Sequence, residues 1–412
     1  MENSAQNIMI EAARERLFRD AKIDVLSATQ DAENEKARAE VARSFISDTL
    51  TVPTPKMQAY AVQASLGDDV YHEPTAIALE TAIARLSGKE AALFMPSGTM
   101  SNQIGIRTHL KQPPYNVLCD HRAHIYKYEV GGLGFHSGAA VTPVLPVNQH
   151  HLTLEDVEAN VTLGTDMHYA PTEVIALENT LNGTIIPQND VLAIAAFARK
   201  EGIAMHLDGA RLWHVAAETG IPLSELCAPF DSVSLCFSKG LGAPVGSCLV
   251  GNADFIRRAR RFRKMFGGGM RQIGALVGAA AYAVSNNLSF LPGVHALTRK
   301  LEKGLEEIGC EITSRAETCM VFFDPTSIGV ELAELIERAA ALPHPIRLSG
   351  SRLVVHIQTA PETVDDFLTL VRTLAEEKRA AGFVRLAQAV KTNGKNGIYK
   401  EVFVRTSLSR SL

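Results

Sequence analysis

From about Pro74 onward the chain alternates segments of helical periodicity with short apolar runs. That rhythm is the signature of a mostly parallel sheet flanked by helices, an α/β architecture. TAIALETAIARLSG reads as an amphipathic helix stopped by Gly88 and followed by the strand AALFM. NVLC, EVIAL, GIAMHL, SVSLCF and SCLVG read as further strands, and LAIAAFARKEG and LVGAAAYAVSNN as helices between or after them. A second, smaller unit is expected from 290 to 382, with LEKGLEEIG, the strands MVFF and RLVVHI, and the helix PETVDDFLTLVRTLAEEKRAAG. Residues 44–289 form the large domain, 1–43 a charged extension with helical propensity, and 383–412 a polar tail.

Two positions concentrate the chemistry. Lys239 lies in SLCFSKGLGAPVGSCLVG, where small residues let backbone pack closely around one lysine just after an apolar run. Asp208, in IAMHLDGARL, ends another apolar run and would face the same crevice of an open sheet. A lysine that forms a Schiff base and an aspartate that partners a pyridinium nitrogen are what pyridoxal phosphate (PLP) requires of a protein. MPSGTMSN follows the strand AALFM. Backbone N–H groups of Ser97, Gly98 and Thr99 would form an anion cradle if a helix opens there, although an N-cap explains the same residues.

HRAHIYKYEVGG places His121 and His124 three apart ahead of two glycines. A flat imidazole beside a cofactor ring accounts for His124. The spacing also resembles a metal pair, but no further ligand pattern joins it, and no metal is expected. Arg211 and Arg352 are candidates for bidentate capture of an amino-acid carboxylate, with surface ion pairs as the alternative. Three consecutive glycines between Lys264 and Arg271 imply a tight turn or an anion contact.

The formal net charge of −4 gives no electrostatic reason for a nucleic-acid or acidic-membrane partner. Cys119, Cys227, Cys236, Cys248, Cys310 and Cys319 show no CxxC spacing and read as reduced, buried thiols. With no signal-peptide block and no apolar stretch of membrane length, a cytoplasmic location is expected.

HLDGARL, SKGLGAPVGS, GGGMRQ, ALENTLNGTIIP, PSGTMSN and SDTLTVPTPKM followed by GDDVY together resemble the low-specificity threonine aldolase / β-eliminating lyase family. This family belongs to the aspartate-aminotransferase-like PLP enzymes of fold type I, and the resemblance runs from about Ser44 to Gly382. It implies that Lys239 carries the cofactor, Asp208 pairs with its ring nitrogen and His124 stacks on the ring. Ser97, Gly98 and Thr99 would bind the phosphate, with Lys264 and Arg271 reaching it from a neighbouring subunit of a dimer-of-dimers tetramer. Ser47, Arg211 and Arg352 would bind the substrate carboxylate, His168 would lie with His124 near the substrate hydroxyl, and Glu178 would line the cofactor cavity. The implied reaction cleaves L-threonine or L-allo-threonine to glycine and acetaldehyde, with the base open among His168, His124 and water.

Two departures stand out. The family commonly reads YG(E/D)DPT, whereas this chain reads YHEPT, and Ile46 stands where an arginine is common. If Tyr71 lies at the site, His72 adds an acid/base group there, and an amino-acid racemase, such as an alanine racemase, becomes the alternative reaction. A catalytically silent scaffold of the same fold that merely binds a partner, and a nucleotide-binding Rossmann protein, are further alternatives. The retained Lys239, Asp208 and Arg352 argue against the scaffold. The lack of GxGxxG after a first strand argues against the Rossmann reading.

Overall fold

Seven short strands carry the larger sheet of the computed structural model, which describes residues 9, 11–17, 19, 21 and 30–384. They are β1 (Ala91–Met95), β2 (Asn116–Asp120), β3 (Ala140–Val144), β4 (Thr172–Glu178), β5 (Ala204–Gly209), β6 (Ser232–Cys236) and β7 (Ser247–Gly251). Their spatial order is β1-β7-β6-β5-β4-β2-β3. Strands β6, β5, β4, β2 and β3 run parallel to one another, and β7 runs antiparallel to both of its neighbours. Every residue of β2, β6 and β7 is buried, as expected of strands covered by helices on both faces. Edge strand β3 escapes the sequence reading because its AVTPV run is half exposed and carries Pro143, a residue tolerated at a sheet edge.

The helices that cover this sheet begin and end on recognisable signals. Helix Pro74–Ser87 starts with proline in its first turn and stops at Gly88, whose φ of 66° suits glycine. Helix Gly98–His109 follows β1 directly, and Ser97 caps it by accepting the Met100 N–H at 3.1 Å. Contacts separate two units, Met1–Glu40 and Val41–Leu412. Helix Gln30–Ala42 begins in the first of these and carries an exposed Glu35–Arg38 ion pair. The expected tail from 383 lies outside the described residues beyond 384.

Three antiparallel strands, β8 (Glu311–Ser314), β9 (Met320–Asp324) and β10 (Arg352–Val354), form a second sheet in the order β10-β9-β8. Helices Leu291–Ile308, Leu332–Ala340 and Pro361–Ala380 pack with it around a core that includes Phe323 and Phe367. Phe45, far away in sequence, also belongs to this core, with its ring 5.4 Å from that of Phe367. The Phe45 N–H donates to the Arg347 carbonyl at 3.0 Å, and its own carbonyl accepts from the Val354 N–H at 2.9 Å. The chain just before Ser47 is therefore stitched into the smaller sheet's domain, although its sequence position suggests the large one.

Candidate active site

The strand register gathers the chemistry at one edge of the large sheet. Glu178 lies opposite Asp208, Asp208 opposite Ser234, Cys236 opposite Ser247, and Ser247 opposite Met95 at the end of β1. This is the carboxyl edge of the parallel strands, where open α/β sheets bind ligands. A cavity there is lined by Gly98, Thr99, Asn102, His124, Asp208 and Lys239, with small residues of β6 and β7 completing it. A larger groove between helices Pro55–Ala61, Pro74–Ser87 and Gly274–Asn287 is mostly apolar and holds no catalytic constellation.

Asp208 is buried, and both carboxylate oxygens accept hydrogen bonds: Oδ2 from Asn102 Nδ2 at 2.7 Å, Oδ1 from the Ala210 N–H at 3.0 Å. Among the described residues it makes no ion pair, so the cavity carries a buried negative charge facing open space. Asn102 Nδ2 also donates to Glu129 Oε1 at 2.9 Å, which uses both amide hydrogens. Its Oδ1 must then accept from His206 Nε2, 3.2 Å away. His206 Nδ1 in turn accepts from the Ser232 hydroxyl at 2.8 Å, leaving the Ser232 oxygen to accept from His109 Nε2 at 2.7 Å. Burial pushes His206 down to about 4, outweighing the attraction of Asp208, and holds His109 near 3, so both rings are neutral in this chain. The orientation of Asp208 is thus fixed by a polarised row of groups.

Glu129 is fully enclosed and accepts from Asn102, from Gln103 Nε2 at 2.5 Å and from His124 Nδ1 at 2.9 Å. Because a carboxylate only accepts, His124 carries its proton on Nδ1, and Nε2 is left to exchange one. Burial opposes the imidazolium of His124. Glu129 and Asp208 overcome that penalty and raise its pKa above the ordinary histidine value. Glu178 accepts from the His124 N–H at 2.7 Å. Burial, followed by the repulsion of Asp208, lifts the Glu178 carboxyl well above the usual carboxylate range.

The remaining sequence candidates are distributed differently. Ser97 caps the helix behind Gly98. Arg211 is committed to a carboxylate of the chain itself: Nε and Nη2 donate to Asp48 Oδ2 and Oδ1 at 2.8 and 2.6 Å. Burial works against the Asp48 carboxylate, but Arg211 outweighs it and holds Asp48 far below its usual range. Ser47 caps the turn Asp48–Leu50, accepting from the Thr49 N–H at 3.1 Å. Arg352 opens β10, half-buried and without an ion pair among the described residues. His168 is exposed and bonded to Asp166 at 2.8 Å, outside the cavity lining, because its loop turns toward solvent. Tyr71 is 79% exposed, and His72 follows it with a left-handed φ of 68°. Lys264 and Arg271 are exposed as well, and Arg271 pairs with Asp68 at 2.9 Å.

The residues present fit PLP. A Cβ built at Gly98 meets nothing within 4 Å, so the front of this helix is open. Ser97 satisfies the Met100 and Ser101 N–H groups, which leaves those of Gly98 and Thr99 for an anion. Asp208 offers an unpaired buried charge for a pyridinium nitrogen, and Lys239 a primary amine on the same wall. Asn102 and Glu129 were not singled out in the sequence. Their only signals were the position of Asn102 one helical turn after Gly98 and that of Glu129 five residues after His124.

Comparisons with known proteins identify the family and the fold. The β-eliminating lyase family profile matches residues 44–327. The low-specificity L-threonine aldolase of Candida albicans is 46% identical over 78% of this chain and 87% of its own. An alanine racemase of Cochliobolus carbonum is 34% identical over 76% of this chain and 82% of its own. The solved structure of Leishmania major threonine aldolase superposes with a TM-score of 0.68, at 20% identity, covering 81% of this chain and 99% of that one. At that identity the last comparison speaks for the fold alone, a fold shared by PLP enzymes of type I.

Proposed function

Because this chain belongs to the β-eliminating lyase family, we propose that it is a PLP-dependent lyase that cleaves β-hydroxy-α-amino acids, L-threonine or L-allo-threonine among them, to glycine and an aldehyde. The observation that carries this reading is the single cavity onto which Asp208, Lys239, His124 and the open front of helix Gly98–His109 converge. PLP held there supplies an electron sink for the pair released when the Cα–Cβ bond breaks.

The chain's own groups do the rest. Gly98 and Thr99 N–H groups would hold the phosphate, and Asp208 would keep the ring nitrogen protonated. The Lys239 amine would be the group that anchors the cofactor. Arg352, without an ion pair among the described residues, suits capture of the substrate carboxylate, and Asp48 keeps Arg211 in a fixed orientation. His124 Nε2, with Glu129 fixing Nδ1–H, is the group we assign to take the β-hydroxyl proton.

The segments around Asp68–Tyr71 and Arg263–Arg271 are tied together. Arg263 pairs with Asp69 at 2.5 Å, and the Asp69 N–H donates to the Arg271 carbonyl at 3.1 Å. Together they expose Tyr71, Lys264 and Arg271, which supports a site completed across subunits of a homotetramer. Six buried free thiols suit a reducing compartment such as the cytoplasm. No described helix is long and apolar enough to cross a membrane.

A second reading, racemisation at Cα, draws on the acid/base group that His72 adds beside Tyr71. One experiment separates the two. Purified, PLP-loaded protein is incubated with L-threonine, L-allo-threonine and L-alanine, with acetaldehyde and amino-acid chirality followed. Acetaldehyde and glycine with unchanged L-alanine support the lyase. D-alanine with little acetaldehyde supports the racemase and refutes the lyase. Lys239→Ala should abolish both.

A further inference from the structure

A second row of buried groups ends beside the lysine loop. His214, in helix Leu212–Thr219, has its Nδ1 2.8 Å from His295 Nε2. His295 Nδ1 lies 2.7 Å from Glu218 Oε2, and Glu218 Oε1 accepts from Arg299 at 2.8 Å. Both rings are buried, whereas the Glu218 side chain is 29% exposed. His214 Nε2 is buried with no partner, and a Cβ on Gly240, the residue after Lys239, would collide with it. A ring nitrogen of His214, an Asp48 oxygen and Cys319 Sγ all lie within 4.8 Å of one another. These three do not make a metal site: Arg211 holds both Asp48 oxygens, and burial lifts the Cys319 thiol to about 12, keeping it protonated.

The direction of the row follows from hydrogen-bond roles. The Glu218 carboxylate accepts, so His295 Nδ1 is the donor and its Nε2, in the neutral ring, accepts. His214 Nδ1 must then carry the proton, which leaves Nε2 as a bare lone pair. Burial pushes His214 down to about 3 and lowers His295 against the pull of Glu218, so both rings stay neutral. The charged and titratable groups facing His214 are His295, Asp48, Arg211 and Cys319.

We propose that His214 is a positioning residue for the lysine loop, and that Glu218 and His295 act through it by fixing the tautomer whose bare Nε2 lies against Gly240, with the Asp48–Arg211 pair beside the ring. The opposite tautomer would present an N–H donor that competes with Arg211 for Asp48. That would loosen the guanidinium and quench part of the negative charge that Asp48 presents to Lys239. Gly240 is required on this account because any side chain there would displace the ring. The proposal rests on Lys239 as the site lysine and assigns a role to residues that touch no substrate.

The test uses full-length protein carrying nitrogen-15 histidine, with His295→Phe and His295→Gln variants. In the wild type, His214 Nε2 should resonate as an unprotonated nitrogen near neutral pH. His295→Phe should convert it to N–H, lower kcat roughly threefold to tenfold, the equivalent of one neutral hydrogen bond, and move the alkaline limb of the rate profile to lower pH. His295→Gln accepts from His214 and donates to Glu218, and should restore both the resonance and the limb. If His295→Phe does not fold, Glu218→Ala removes the outer acceptor from the surface and should shift the limb in the same direction. A protonated Nε2 in the wild type overturns the proposal, as does a rate profile unmoved in the variants. Because the resonance is read without any amino acid present, that failure would leave the lyase reading intact.

Discussion

Asn102 is the residue through which the cavity's carboxylates share hydrogens. Its amide divides its two N–H bonds between Asp208 and Glu129, and its carbonyl is locked by His206. Asn102→Ala should therefore weaken PLP retention and lower kcat by about tenfold to a hundredfold, the range for losing a hydrogen bond to a charged group. Cofactor absorbance after gel filtration would check the first effect, and initial rates the second. Glu129→Gln keeps an acceptor for His124 Nδ1–H but removes the charge that raises its pKa. If neutral His124 is the base, the acid limb of kcat/KM should move to lower pH in this variant. The same raised value has a stability consequence. The contribution of the His124–Glu129 contact is complete below the ordinary histidine value and lost as pH rises through the higher folded value. Lys239, Asp208, His124, Gly98 and Thr99 were legible in the sequence because each follows an apolar run at a strand's carboxyl end. Asn102 and Glu129 were not, because their roles arise from contact with each other and with Asp208. The pairing of Arg211 with Asp48 was not legible either, because nothing in SDTL announces that Asp48 folds back onto it.

At the level of elements, helix Gly98–His109 joins two roles: its first turn is the proposed phosphate cradle, and its next supplies Asn102. Ser97 caps it with a single hydrogen bond, so Ser97→Ala should destabilise the fold by about 1 kcal/mol in denaturant titration. It should also make PLP binding weaker by leaving the first turn less ordered. The short 3-10 turn Asp69–Tyr71 makes the opposite point. His72 ends it in a left-handed conformation that glycine adopts more readily. His72→Gly should stabilise the protein by up to about 1 kcal/mol, and unchanged kinetics in that variant would remove the reason for the racemase reading. Central strands such as SVSLC and SCLVG were legible because burial on both faces favours short runs of apolar and small residues. β3 and the four-residue β8, EITS, were not, since each is only partly buried and neither shows a continuous apolar run.

For the molecule as a whole, the proposed assembly makes catalysis depend on concentration. Replacing Lys264 and Arg271 together by alanine should leave the monomer fold intact, because both side chains are exposed, yet weaken PLP retention if they reach a neighbour's phosphate. Mixing this variant with a Lys239→Ala variant should regenerate some activity if sites are shared, and none if each chain is self-sufficient. Light scattering alongside would report the oligomer.

The seating of Phe45 among residues of the smaller sheet has a consequence for the order of synthesis. Its partners Arg347 and Val354 leave the ribosome about 300 residues later, which at 5–20 residues per second is a wait of roughly 15–60 s. Throughout that interval the segment that carries Ser47 and Asp48 lacks the two backbone hydrogen bonds that later tie Phe45 to the smaller sheet. The segment that carries Ser47 and Asp48 thus gains its anchor on the smaller sheet only near the end of synthesis.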